Sequence, residues 1–392
     1  MSGRRWQQRV PDVSRSPRQL LDDYAAGDFF FATGEYTLLA SGSATALTST
    51  ELGTLDERAA AALSAAANPI AVGALPFEPG GAQAPPGHLV LPRILRLAGP
   101  AHPEAAALPE VPVPKPSRVH AVPAPEHHRD AIAAAVRLLD SAGLRKVVLA
   151  RALDLEFDEQ LPVDAILRNL VRENPAGYTF GVGLPGDRAL LGASPELLIS
   201  RTGSKVFAYP HAGSMPRSPD PRQDAVNGRA LLASTKDHAE HAVLTEAVEQ
   251  TLRPLCARLD VPAEPELVST PTMWHLGTTI TGELADLDIT ALRLAAALHP
   301  TPAVCGTPTD TARRVLGELE PFDRGYYAGA VGWVDAQGDG EWAVAIRCAE
   351  IAQRALRLYA GGGIVEGSEP AAELDETSAK FVTLLRAMGL ES

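Results

Sequence analysis

Gly329 to Val365 reads GAVGWVDAQGDGEWAVAIRCAEIAQRALRLYAGGGIV. Two apolar, strand-like runs flank Gln337-Gly338-Asp339-Gly340, and Asp-Gly at such a point marks a tight hairpin. Strands joined this way are antiparallel and need no crossover helix. Outward from this stretch, the strand-like runs fall in groups. FFFATGEYTLLASG, NPIAVGALPF and GHLVLPRILRLAG lie in the first hundred residues, KVVLARALDLEF opens at Lys146, and YTFGVGLP, RALLGASPELLISR and SKVFAYPHAGS follow as a meander. PELVSTPTMWHLGTTITGEL supplies further strands. Helical periodicity appears in blocks between them: DERAAAALSAAA, HHRDAIAAAVRLLDSAGL ending at Gly143, VDAILRNLVRENP, a long region from Arg222 to Leu259, and the terminal PAAELDETSAKFVTLLRAMGL. Blocks of helix between antiparallel strand groups predict an α+β fold rather than an alternating parallel one. Gly99 to Pro125 is proline-rich and reads as a surface crossing with extended segments.

The chain has 392 residues, 45% of them hydrophobic, ample for a large core. Its net charge of −13 argues against nucleic acid and anionic membranes as partners. An anionic small molecule would need local cations or a metal to overcome that field. Cys256, Cys305 and Cys348 form no CxxC or Cys/His spacing, which points to a reducing compartment without disulfides or zinc. The basic start MSGRRWQQRVPDVSRSPRQ is followed by no apolar stretch of secretory type, and no run approaches the ~18 apolar residues of a membrane helix. A soluble, cytoplasmic protein is expected. Arginine supplies 30 of the 35 basic residues, so the five lysines, Lys115, Lys146, Lys205, Lys236 and Lys380, attract attention. A lysine is a compact charge that can lose its proton when buried.

STKDHAEH places Asp237, Glu240 and His241 on one helical face, and ELDETSAK does the same for Glu373, Glu376 and Lys380. Either stripe alone is an ordinary solvated face or i,i+4 ion pair. Together, carboxylates from two helices with few other ligands suit a hard cation that keeps several waters, Mg²⁺ before Ca²⁺ or Zn²⁺. Gly361, Gly362 and Gly363 precede the last helix, either as amides that cradle an oxyanion or as a tight connection. In WAVAIRCAEI strict alternation puts Arg347 with Ala343 and Ala345, where it can line a pocket or face solvent. Lys146 opens an apolar strand, Glu196 sits at a strand edge, and His275 follows Trp274; each has a plain structural explanation as well.

These motifs resemble the chorismate-utilising enzymes: isochorismate, anthranilate, aminodeoxychorismate and salicylate synthases. The matching stretches are KVVLAR, LLGASPELL, AGS, STKDHAEH, TPTMWHL, HPTPAVCG, ELEPFDRGYYAGAVGW, GEWAVAIR, AGGGIV and ELDETSAK, in family order from about residue 140 onward. The likeness is greatest to isochorismate synthases of the catechol-siderophore type. It implies one chorismate-binding domain over 1–392, with 15–98 as its N-terminal part, 99–125 as a surface crossing and 126–392 as the catalytic part. The implied architecture is two packed, mostly antiparallel sheets flanked by helices. Glu240 and Glu376 become Mg²⁺ ligands with Glu373 assisting, and the metal holds the ring carboxylate of chorismate. Arg347, Lys380 and the amides of Gly361 to Gly363 hold carboxylates; Ala212, Gly213, Ser214, Ala303 and Val304 wall the pocket, and His275 lies near the substrate. Asp237 and His241 orient the metal-site helix. Lys146 is the base for the water that attacks C2, and Glu196 is the acid for the hydroxide leaving C4. For this, Lys146 must be eased of its proton by desolvation or a nearby cation, and Glu196 must stay protonated. Lysine at 146 favours water over ammonia, and Ala212 replaces the nucleophilic lysine of aminodeoxychorismate synthases. A salicylate synthase and a silent chorismate-binding homologue are the alternatives. The product is expected to feed 2,3-dihydroxybenzoate siderophore synthesis, with menaquinone as the other destination, and the enzyme is expected to act as a monomer.

Overall fold

The structure, a computed structural model, describes residues 15–390 apart from 67, 69, 81–83, 102–103, 142, 175–176 and 271–272. The basic N-terminal segment before residue 15 lies outside the described residues. In chain order the first elements are α1 (Pro17–Asp23), β1 (Phe29–Ala32), β2 (Thr37–Ser49), α2 (Leu52–Ser64), β3 (Ile70–Leu75), β4 (Gly87–Ala98), β5 (Arg118–Val122), α3 (Pro125–Ser141), β6 (Lys146–Glu156) and α4 (Val163–Glu173). The meander follows as β7 (Tyr178–Leu184), β8 (Arg188–Ser194), β9 (Leu197–Thr202), β10 (Lys205–Tyr209) and β11 (His211–Pro216). Then come α5 (Pro221–Ala233), α6 (Thr235–Leu252), β12 (Cys256–Asp260), β13 (Glu266–Ser269), β14 (Met273–Gly277), β15 (Ile280–Leu284), α7 (Ala291–Leu298), β16 (Gly306–Thr307) and α8 (Thr309–Leu319). The chain closes with β17 (Ala330–Asp335), β18 (Gly340–Val344), β19 (Cys348–Ala352), β20 (Ala355–Ile364) and α9 (Pro370–Ala387).

Every pairing among the described strands is antiparallel, as the hairpin at Gly338 implied. Followed by hydrogen bonding, one arm of the large sheet runs β12-β15-β10-β9-β18-β17-β3-β4. The other runs β2-β1-β7-β8-β19-β20-β6, with β5 and β16 beyond β6. The long β2–β4 ladder joins the arms, and its register shifts between Ser43 and Thr45 beside Gly42, whose φ is +66°. Such a bulge bends a strand pair and lets the ladder turn back on itself.

The fold-back has an apolar cause. One buried cluster takes Val147, Leu149, Phe180 and Leu190 from one arm and Ile199, Val206, Trp333 and Trp342 from the other. A second cluster covers the outer face of the β1-to-β6 arm with α1, α4 and α9, through Leu20, Leu170, Leu191, Leu358, Phe381 and Leu384. A smaller sheet, β11-β14-β13, stands apart and carries Ala212 and His275. No described helix is long and apolar enough to cross a membrane.

Three local expectations are corrected. The region from Arg222 to Leu259 is two helices, broken where Ser234 caps α6 by accepting from the Asp237 N–H at 3.2 Å. Its last residues, CARL, fall instead in edge strand β12, which pairs with β15. Strict alternation through Arg347 fails, because Ile346 N–H turns back to the Val344 carbonyl at 2.9 Å and Arg347 takes φ +51° between β18 and β19. Gly361 to Gly363 are neither a loop nor a connection; they lie inside β20, paired with Ala150, Leu149 and Val148 of β6.

The outer edge of β6 is held by a buried ion pair. Glu320 accepts the Ala150 N–H at 2.7 Å and the Arg324 Nε–H at 2.8 Å. Arg324 donates onward to the carbonyls of Val304 at 2.7 Å and Val148 at 2.6 Å, and stacks 4.4 Å above the Phe77 ring. Removing one partner of such a pair strands the other charge. Arg324→Met is expected to destabilise the fold by about 3–5 kcal/mol, read as a lower urea midpoint; an unchanged midpoint would show that the pair contributes nothing.

Candidate active site

Strand β6 meets α6 and α9 at one end, and there a cavity of about 250 Å³ opens. Lys146 begins β6 and is 1% exposed; its Nζ donates to Glu240 Oε1 at 2.8 Å. The neighbour of this buried lysine is therefore a carboxylate, where an apolar wall or a cation had been expected. The approach is close because residue 363 is glycine: a Cβ there would lie 2.7 Å from Glu240 Oε1 and 2.9 Å from Lys146 Cε.

The backbone of β20 is the second component. Ala150 and Val148 turn their N–H groups away from β20, to Glu320 at 2.7 Å and the Cys305 carbonyl at 2.8 Å. Their partners Gly361 and Gly363 are thus non-hydrogen-bonded pairs, with N–H and C=O facing the strand's other side. β19 covers that side only as far as Leu358. Past it, Gly361 and Gly363 line the cavity, and the Gly361 carbonyl accepts from Lys380 Nζ at 2.8 Å. Gly362 faces β6 instead; its missing side chain leaves room for Glu373 Oε2, 3.3 Å from where a Cβ would be.

Helices α6 and α9 bring acids in their first two turns, and Asp237 and Glu373 lie in the first, where the helix dipole favours negative charge. Glu376 accepts from Lys380 Nζ at 2.6 Å and lies 3.5 Å from Ser214 Oγ. Burial pushes its carboxyl up, but Lys380, Lys236 and Arg347 together hold it below the ordinary value. Glu373 accepts from Ser368 Oγ at 2.8 Å and has Lys236 at 3.6 Å. Burial, with Glu376 and Glu240 nearby, raises its carboxyl despite the Ser368 bond. Asp237 is likewise raised, by burial first and by Glu240 and Glu376. His241 does not share their site: its Nε2 pairs with Thr278 Oγ1 at 2.7 Å, and burial lowers it to about 4.

Across the cavity Glu196 is 4% exposed, and burial pushes its carboxyl up to about 8, against the pull of the His211 N–H and Lys146. Burial and Arg347 hold His275 well below the ordinary range, so it is neutral. Its Nδ1 faces the Gly213 carbonyl at 3.3 Å, which assigns the proton to Nδ1. Ala212, Gly213, Ser214, Ala303, Val304 and Arg347 complete the wall. All the sequence-predicted site residues except Gly362 therefore border one cavity.

The structure adds residues that the reading did not single out as site residues. Lys236, half-exposed at the mouth, was noted only as one of five lysines, three of which line this cavity. Tyr327 and Tyr359 stack with ring centroids 4.8 Å apart on the cavity wall. His211 also borders it and is lowered to about 4 by burial. GYYAG and HAGS carried part of this signal, but contact across 32 residues is visible only in the fold.

No described group of three His, Cys, Asp or Glu side chains is gathered closely enough to hold a metal as it stands. The donor chemistry nonetheless fits a hard cation. Glu240 and Glu376 lie near enough to raise the proton affinity of Asp237 and of Glu373, and all four side chains offer oxygen. Mg²⁺ needs only one or two carboxylates beside water and substrate oxygens.

Comparisons with known proteins agree on one lineage. A sequence family described as "Chorismate binding enzyme" matches residues 102–389. Isochorismate synthase DhbC of Bacillus subtilis is 46% identical over 390 residues, 95% of this chain and 96% of that protein. Among solved structures, DhbC from Bacillus anthracis, whose description names it 2,3-dihydroxybenzoate-specific, superposes with TM-score 0.88 at 41% identity, over 96% of this chain and all of that one. MenF, the menaquinone-specific isochorismate synthase from Escherichia coli, superposes with TM-score 0.82 at 27% identity, over 97% of this chain and 92% of that one.

Gly363→Ala tests the close approach. Its φ is not in the left-handed region, so backbone strain is not introduced. The added methyl must separate Lys146 from Glu240, and a displacement of about 1 Å at such a site can reduce turnover ~100-fold. The expected result is that loss with an unchanged melting temperature; full activity would show that the pair need not be in contact.

Proposed function

The chain belongs to the chorismate-binding enzyme family, and within it we propose that the protein is an isochorismate synthase supplying 2,3-dihydroxybenzoate synthesis. The observation that carries the mechanism is the pairing of two buried groups on one cavity: Lys146, and a Glu196 whose carboxyl is pushed up to about 8. A carboxyl of that kind is protonated at neutral pH and can serve as an acid. The identity to DhbC over nearly the whole of both chains supports the product assignment.

In this reading chorismate lies with its ring between Lys146 and Glu196. Lys146, which must first give up the proton it donates to Glu240, takes a proton from the water that attacks C2, the double bonds shift, and Glu196 gives its proton to the hydroxide leaving C4. Oxygen enters and leaves in equal number, so the reaction is an isomerisation. Arg347 and Lys380, with the cavity-facing amides of Gly361 and Gly363, hold the two carboxylates. Arg347 suits this role because burial lowers its guanidinium's affinity for a proton and a carboxylate would offset that penalty. His275 stays neutral and contributes a hydrogen-bonding edge without adding charge. Glu240 and Glu376, with Glu373 beside them, would hold Mg²⁺. When bound, the ion supplies a positive anchor for the ring carboxylate and draws off developing charge. Val304 and Ala303 shape part of the cavity wall, and packing against that wall would decide whether the enolpyruvyl group is retained.

Purified protein with chorismate and Mg²⁺ is expected to form isochorismate reversibly, resolved by HPLC. Lys146→Ala and Glu196→Gln should each lower kcat by roughly 10²–10⁴-fold, the usual worth of one acid or base. Salicylate and pyruvate as the principal products, or binding without turnover, would each overturn the assignment.

The pH dependence follows from Glu196. Its folded value lies above the ordinary one, so the protonated acid is present below about 8 and lost above it. Activity is expected to fall as pH rises through about 8, and the residual activity of Glu196→Gln should lack that limb. A wild-type profile flat across this range would show that Glu196 is not the acid.

A further inference from the structure

Behind the substrate cavity lies a second one, of about 230 Å³. Its lining among the described residues includes Asn174, Ala193, Thr270, Thr383, Leu384 and Ala387, with the charged Glu173 and Arg386 beside them. Pro195, His275 and Arg347 border both cavities, so these three residues form the partition between them. We propose that the second cavity is a water port, through which water reaches and leaves the Glu196 end of the site while substrate fills the first cavity. The proposal rests on the isochorismate synthase reading.

That reaction consumes one water at C2 and releases another formed from the C4 hydroxyl and the Glu196 proton. The mouth of the first cavity is the acidic end: the Lys236 side chain is 52% exposed there, whereas Glu196 is 4% exposed. A substrate anchored by its carboxylates at α6, α9 and β20 closes that mouth. Water formed beside Glu196 is then adjacent to Pro195, a residue of the partition. His275 also favours passage of water. Its Nδ1–H is directed at the Gly213 carbonyl, so its Nε2 is an acceptor, and that atom is buried without a hydrogen-bond partner in the protein. A buried acceptor of this kind is ordinarily satisfied by ordered water. The second cavity has the volume for several waters and polar groups at Asn174, Thr270, Thr383 and Arg347 to hold them.

The test fills the port from α9, away from the residues assigned to chemistry. Thr383 and Ala387 are one turn apart on that helix and both border the cavity. Thr383→Phe and Ala387→Leu should lower kcat several-fold with KM for chorismate and melting temperature unchanged, and Thr383→Ser, which leaves the space open, should retain wild-type kcat. A crystal structure with a chorismate analogue bound should show ordered water in the second cavity and at His275 Nε2. If the wild type makes isochorismate and either folded filling variant keeps its kcat, or the cavity is dry, the port is overturned and the enzyme assignment stands. If the wild type makes no isochorismate, both fall together.

Discussion

A buried lysine and a carboxylate 2.8 Å apart hold this site together. Lys146 and Glu240 belong to a strand and a helix almost a hundred residues apart, and neither group tolerates burial alone. Their contact therefore constrains much else. It draws the first turns of α6 against the end of β6, and requires a residue without a side chain at 363. It also sets Glu240 beside the acids of α9. The opposite edge of β6 is held equally firmly, because Glu320 and Arg324 occupy the backbone groups that β20 leaves unused. The strand that carries the proposed base is thus fixed from both sides before any ligand arrives.

The same geometry resolves a conflict of charge. A protein with net charge −13 repels a dianion at long range. Within the cavity, Lys146, Lys236, Arg347 and Lys380 gather against four acids, and the acids are concentrated at one end. Three of those cations sit on the acids themselves, Lys146 on Glu240, Lys236 on Glu373 and Lys380 on Glu376. One end can take a cation, and the other presents a protonated carboxyl and neutral imidazoles.

Much of this was legible in the residues. The hairpin at Gly338 gave antiparallel strands, and helical spacing gave both acidic stripes. Their convergence, and nearly all the individual positions, came from resemblance over ten ordered motifs. What failed did so for identifiable reasons. CARL was read as helix because periodicity in four residues cannot outweigh the helix before it, whereas pairing with β15 can. Arg347 was given a face by alternation, which holds only inside a strand, and the chain leaves β18 after Val344. His241 was expected only to orient the metal-site helix; its partner, Thr278, could not be read from spacing, which assigns a direction but not a partner. Tyr327 and Tyr359 were passed over because their stacking exists only once β17 and β20 are placed.

The uncovered edge of β20 has a consequence for how such a fold diversifies. Donors supplied by the main chain at Gly361 and Gly363 remain whatever side chains surround them. On the proposed reading, grip on an anion is then a property of the chain's path, whereas proton transfer depends on two replaceable side chains, one at the start of β6 and one between β8 and β9. The two can vary separately. A lineage built this way can exchange its reaction without first losing its hold on the reactant, which makes the scaffold permissive to new chemistry on one shared metabolite.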